Sequence, residues 1–476
     1  MHLRRRHTDM LGFVRLRKLL PVVAILVFGS IGVYQSVKHS STLHAISFEI
    51  IHRFVVCVNF LDISYTEKRF VLNQNVSTAL FEWFEVLASS TSASLLIPLI
   101  LSSTRLLKCL QPVQDLTNEQ INNPGTYQNS SLLHDCTLNL NTVEFWTFLH
   151  NGDCLDQVFR NARQQKWEIF EYNSESLVEF RKDSLQIHIR FAEHRSNYWY
   201  IPSHRKVYHT AAYLPVKLEA VFINSAFLLR PRGNLNVFIE NRERSRFIEC
   251  NETVATQLKS SHPKLFGKKR AINRKQFEGL VAFRTLLYSV GTTPFLIGGT
   301  ALGWLRECDI ITHTTDFDLA VPAEQYSKAI EEAILSDKRF KLYWILGKPE
   351  DSLELSVYYA GVKIDLFFLY STPENTSWVG GMIVPRRAKL KWSYPALDQG
   401  LCTADLRNEL FLVPCNVEQF IEADYGENWT IPIHTSNFVW YKTHHNVQNA
   451  GKWSRSEWPH VYRTKFHSLS TVVGYI

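Results

Sequence analysis

Two aspartates one residue apart, Asp316 and Asp318, stand in the run TDFDLAV, and a third, Asp365, stands in VKIDLFFLY. A carboxylate in an apolar strand is costly to leave unpaired, so it must bind a cation, meet a base or sit at an open strand end. Side chains alternate along a strand, which points Asp316 and Asp318 to one face. If the Asp365 strand lies alongside, three carboxylates converge, and hard oxygen ligands of this kind select Mg2+ or Mn2+. Upstream, the apolar run FLI ends in Gly298, Gly299 and Thr300. Small residues there let the backbone approach a phosphate closely. Metal and phosphate side by side are the equipment of phosphoryl transfer, in which the ion neutralises developing charge. Taken singly, an Asp-x-Asp or a Gly-Gly pair is a common chance event, and the second is usually only a turn.

The elements that must carry these residues can be read around them. Phe277, Leu280, Val281, Leu286 and Leu287 predict a helix over Gln276–Val290, ending before Gly291. Ala323–Leu335 has helical spacing, with Tyr326, Ile330 and Ile334 on one face, and Lys341–Tyr370 reads as successive strands. Helix, strand-Gly-Gly, helix, Asp-x-Asp strand and a later single-Asp strand, in that order, make a minimal nucleotidyltransferase core. The ordered set is far rarer than its parts.

Length and composition bound the rest. At 476 residues, with 45% hydrophobic and 20% charged, the chain has room for two or three folded domains. A net charge of +7, part of it at the extreme N-terminus, gives no footing for nucleic-acid binding. Leu19–Tyr34 is apolar, follows Arg4, Arg5, Arg6, Arg15, Arg17 and Lys18, and has no clear cleavage site after it. It reads as a transmembrane signal anchor with a cytosolic tail (1–18) and a lumenal remainder, a cleaved signal peptide being the competitor. Sequons at Asn75, Asn129, Asn251, Asn375 and Asn428 are compatible with the lumen. The 8 cysteines contain no CxxC pair, and sequence leaves their connectivity open.

The expected fold class is α/β (α+β). A stem covers 35–130, a small α/β domain 131–260, a nucleotidyltransferase-like mixed-sheet domain 261–465 and a tail 466–476. Within the small domain, Thr142–Gln165 reads as helix, Ser184–Arg190 as a strand, and Glu193–Tyr200 suits a hairpin. Gln111–Gln128 reads as a linker. The basic stretch His262–Lys275 is a solvated helix start or, less simply, a surface for an anionic donor.

GGTALGWLRECDII followed by TDFDLAV resembles the LicD/fukutin family of nucleotidyltransferase-fold phosphotransferases. The segments HRSNYWY, RFIEC (Arg246–Cys250), EDSLELS (Glu350–Ser356), VKIDLFFLY, VPCNVEQFIEADYGENWTIPIHT (Val413–Thr435) and NVQNAGKWSRSEW (Asn446–Trp458) are similar to its fukutin branch. The resemblance spans about Asp135 to Tyr462, and its specific motifs lie in the C-terminal half. It implies a single-pass type II enzyme of the Golgi membrane. Such an enzyme transfers ribitol 5-phosphate from CDP-ribitol to a hydroxyl of an O-mannosyl glycan on a glycoprotein and releases CMP, with Golgi glycosyltransferases as partners. Carried over, Asp316, Asp318 and Asp365 are the metal-binding and catalytic carboxylates. Gly298, Gly299 and Thr300 are the phosphate-side turn. Many LicD members have acidic residues directly before the pair, where this chain has His313, Thr314 and Thr315.

Further residues have two readings each. Arg306 is a candidate phosphate clamp or a surface residue. Tyr425, Trp429, Trp453 and Trp458 are candidates to stack on sugar or base, with core packing the blander fate. Glu350 and Asp351 suit a structural loop beside the site. Two other functions compete: a LicD-like transferase of phosphocholine or another phospho-alcohol, and a non-catalytic scaffold for a glycosyltransferase. Clustered carboxylates serve no purpose in a scaffold, which favours an enzyme.

Overall fold

The computed structural model describes residues 63–71, 78–90, 99–103, 111–112, 141–148, 155–172, 176–203, 209–223, 226–233, 235–266, 271–434 and 437–464. The expected anchor at 19–34, the tails and most of the expected linker lie outside the described residues. Among those described, no helix is long and apolar enough to cross a membrane. The fold is mixed α/β, and the chain divides into two units.

The first unit, within 1–173, 177–191 and 217–233, holds a nine-stranded sheet among its described residues. Part of the expected stem belongs to it: Ile63–Val71 pairs in parallel with Leu218–Ile223, and Ile100 and Leu101 are fully buried. The helix expected over Thr142–Gln165 is in fact a strand, Thr142–Thr147, followed by a shorter helix, Asp156–Gln164. The first six residues, TVEFWT, are β-branched and aromatic, and tertiary pairing with Gln186–Phe191 decides their state.

The second unit comprises 174–176, 192–216 and 234–476. The division therefore departs from the expected boundary at residue 260. The hairpin of Glu193–Arg195 and Tyr198–Ile201 belongs here because it bonds within this unit: Tyr198 Oη donates to Asp405 at 2.7 Å, and Tyr200 Oη donates to Glu249 at 3.0 Å. Cys250 is joined to Cys308 and Cys402 to Cys415, two pairings that sequence left open. The sequons at Asn375 and Asn428 are exposed, whereas the Asn251 side chain caps a helix by accepting from the Val254 amide.

Within this unit, α1 (Arg274–Ser289) starts with a capping box between Asn273 and Gln276, which puts Arg274 and Lys275 of the basic stretch in an exposed first turn, while 267–270 lie outside the described residues. Next come β1 (Phe295–Leu296), α2 (Gly298–Glu307), β2 (Asp316–Pro322), α3 (Lys328–Ser336), β3 (Lys341–Lys348), β4 (Asp351–Tyr359) and β5 (Val362–Ser371). After them run β6 (Thr376–Ile383), β7 (Ala388–Pro395), β8 (Leu401–Leu406), β9 (Glu409–Pro414) and α4 (Val417–Tyr425). The mixed sheet runs β8-β9-β1-β2-β5-β4-β3, with β6 and β7 continuing from β5. Period-two alternation splits its central strands. Phe317, Leu319, Val321, Leu353, Leu355, Val357, Ile364, Leu366 and Phe368 are fully buried in one core with Phe283, Leu287 and Trp304. Each such side chain contributes about 1.5–3 kcal/mol by leaving water. That apolar face fixes the register, and the register sets the opposite face.

Candidate active site

The opposite face carries the polar residues. β2 and β5 are parallel neighbours, with Asp316 opposite Lys363 and Asp318 opposite Asp365. On the other side of β5, antiparallel β4 sets Ser356 opposite Asp365 and Tyr358 opposite Lys363. The three aspartates are thus brought onto one face of adjacent strands, as the alternation requires.

The Gly-Gly segment is the first turn of α2, not a free loop. Gly299 donates its amide to Asp318 Oδ2 at 3.0 Å, and Thr300 Oγ1 accepts from the Asp318 amide at 2.8 Å. Gly298 has φ +54°, and a Cβ there would lie 3.1 Å from Asp318 Oδ2; at Gly299 the distance would be 3.4 Å. Gly298, at positive φ and with the tighter contact, is the glycine that the close approach of the helix start to the carboxylate requires. Asp316 accepts at Oδ1 from Thr314 Oγ1 at 3.2 Å, and Asp365 Oδ1 accepts from Ser356 Oγ at 2.6 Å.

The electrostatics are those of crowded anions. Burial, then Asp316 and Asp365, hold the Asp318 carboxyl well above the usual carboxylate range. Burial and Asp365 also raise Asp316, which Lys363 opposes. Glu354, on β4, is pushed up to about 8 by burial and then by Asp365. Lys363 Nζ stands 2.7 Å from Asp365 Oδ2 and 3.9 Å from Asp316 Oδ2. Burial works against its charge, yet Asp365 and Asp316 outweigh that and raise it. Among the described residues, no three His, Cys, Asp or Glu side chains close on one point tightly enough to hold an ion as they stand. The oxygen-only donor set, three aspartates and a glutamate against one lysine, nonetheless fits a hard divalent cation.

Arg306 is not a surface residue here. It lies in the last turn of α2, about 10 Å along the axis from Gly299. Buried there, it donates to Glu307 at 2.6 Å and to the Trp429 carbonyl at 3.2 Å. Trp453 is a core residue with Leu346, Met382 and Val461, and Trp458 stacks on Tyr462. Tyr425 does reach the site: its hydroxyl would be 3.9 Å from a Cβ on Gly299, and its ring meets Phe438 and His444. Next to it, buried Asp424 accepts from Tyr394 Oη at 2.8 Å and Asn446 Nδ2 at 3.0 Å. Asp351 pairs with Lys389 at 3.0 Å, the structural role expected of it. Lys363, Glu354 and Ser356 were missed from sequence, although their spacing from Asp365 and within LELS places them on the same face.

Residues 291–416, which contain every element from β1 to β9, match the model of the LicD/FKTN/FKRP nucleotidyltransferase domain. An uncharacterized protein of Caenorhabditis elegans is 34% identical over 260 residues, 52% of this chain and 64% of its own. The ribitol-5-phosphate transferase FKTN of Homo sapiens is 31% identical over 280 residues, 58% of this chain and 59% of its own. That of Mus musculus is 33% identical over 247 residues, 52% of each. The chain therefore spans between about half and two-thirds of these relatives.

Proposed function

We propose that the chain is a phosphotransferase that moves ribitol 5-phosphate, or a similar phospho-alcohol, from a CDP-alcohol to a glycan hydroxyl in protein O-mannosyl glycosylation. We place it as a single-pass type II protein of the Golgi membrane, with the LicD domain lumenal and Golgi glycosyltransferases as partners. The observation that carries the reading is the in-register pairing of Asp318 with Asp365 beside the glycine start of α2, inside the domain shared with the FKTN transferases.

Asp316, Asp318 and Asp365 would hold Mg2+ or Mn2+, which supplies charge neutralisation on the donor diphosphate. Gly298 and Gly299 leave the donor phosphate room against the backbone, and no Cβ intrudes. The acceptor hydroxyl oxygen attacks the phosphorus of the phospho-alcohol, the bond to CMP breaks, and CMP leaves with the shared oxygen. Asp365, oriented by Ser356, takes the hydroxyl proton.

The test incubates the full chain and Mn2+ with CDP-ribitol, CDP-choline or CDP-glycerol, and measures CMP with and without acceptor glycan. Acceptor-dependent CMP from CDP-ribitol is the expected result. Acceptor-dependent release from CDP-choline alone would reassign the alcohol, and none from any donor would leave a scaffold.

A further inference from the structure

One charged residue of the carboxylate face has no part in the chemistry above. Lys363 lies two residues before Asp365 on β5, opposite Asp316 on β2 and Tyr358 on β4, with Glu354 further along β4. Its ammonium bonds Asp365 at 2.7 Å and approaches Asp316 at 3.9 Å. Its side chain is 27% exposed, against 6% for Asp365. It is a cation on a flexible four-carbon stem, set among the oxygens that would take a metal and able to swing toward solvent.

We propose that Lys363 is the resident counter-cation of this face and makes metal loading depend on the donor. It is a positioning residue rather than a catalytic one, and the proposal rests on the metal-dependent reading of the site. In the donor-free protein, a divalent ion must displace the ammonium from Asp365 or bind beside a like charge, and either costs affinity. A CDP-alcohol brings two phosphate charges. These stabilise the ion and give the displaced ammonium an anionic partner, so metal and donor enter together. The exchange spares the free enzyme a standing cluster of unneutralised carboxylates.

The test titrates the full chain with Mn2+ by electron paramagnetic resonance, with and without CDP, in the wild type, Lys363→Met and Lys363→Arg. In the wild type, CDP should tighten Mn2+ binding strongly. In Lys363→Met, the CDP-free affinity should rise by roughly tenfold or more and the effect of CDP should shrink. Lys363→Arg should stay close to the wild type. If Lys363→Met folds poorly without metal, Mn2+ should raise its Tm by more than it raises that of the wild type. Equal or weaker CDP-free Mn2+ binding in Lys363→Met, an equal Tm response, or no Mn2+ binding by the wild type would each overturn the proposal. None of these readouts uses transfer, so an enzyme that fails to release CMP yet shows the Mn2+ pattern would fail the functional reading alone.

Discussion

Asp318 and Asp365 are register partners on neighbouring parallel strands, so the β2–β5 ladder itself sets their approach. Ser356, from the third strand, donates to the Asp365 carboxylate at 2.6 Å and is fully buried. Ser356→Ala should leave that oxygen short of a partner and cost about 1–3 kcal/mol, read by urea unfolding. Transfer should fall as well, because Asp365 loses its orientation. Unchanged stability and rate would remove Ser356 from the site.

Gly298 tests the close approach of α2 to Asp318. Gly298→Ala puts a Cβ 3.1 Å from Asp318 Oδ2 at a φ of +54°. The backbone strain costs about 1 kcal/mol, and the carboxylate must shift. CMP release should drop at least tenfold, roughly what a displaced reacting group costs, while Tm changes by a few degrees. Gly361→Ala, also at positive φ but with open space around it, should share the Tm loss and keep the rate.

Arg306 separates a structural role from a phosphate contact. Arg306→Ala leaves the buried Glu307 charge without its 2.6 Å partner. The expected loss is about 3–5 kcal/mol in chemical denaturation. A donor clamp would instead raise the KM for CDP-ribitol with little change in stability.

Glu354 predicts a pH dependence of the metal-free protein. Its folded-state value of about 8 lies above that of an unfolded glutamate, so between these values the native state binds more protons than the unfolded state. Stability must therefore fall as pH rises from about 5 to 8. In chelator, the wild-type Tm should decline over that window, and Glu354→Gln should flatten the decline. A wild-type Tm that rises over the same range contradicts the assignment.

The chain shows where its own pattern is decisive. Alternation in TDFDLAV and VKIDLFFLY was enough to put each aspartate on the polar face of its own strand, because Phe317, Leu319, Ile364 and Leu366 are apolar and buried, and the parallel pairing of the two strands then joins the three. Helix spacing similarly marked α1. The same reasoning failed at Thr142–Thr147, where β-branched and aromatic residues pair with a strand far along the chain. It also failed at Arg306, whose fate depends on Glu307 and on a carbonyl in the distant 429 segment. Lys363 shares the strand parity of Asp365, and Glu354 that of Ser356, but parity alone names no neighbouring strand. Only the strand order β2-β5-β4 shows that they face the aspartates.

Asp318 stands at the centre of the account, in register with Asp365 and bonded to the amide of Gly299. The most direct measurement is CMP release from CDP-ribitol by the full chain with Mn2+ and acceptor glycan, wild type against Asp318→Asn. Acceptor-dependent release by the wild type, and a loss of about a thousandfold or more in Asp318→Asn with its fold retained by circular dichroism, is the predicted result. Release by Asp318→Asn at the wild-type rate would contradict it.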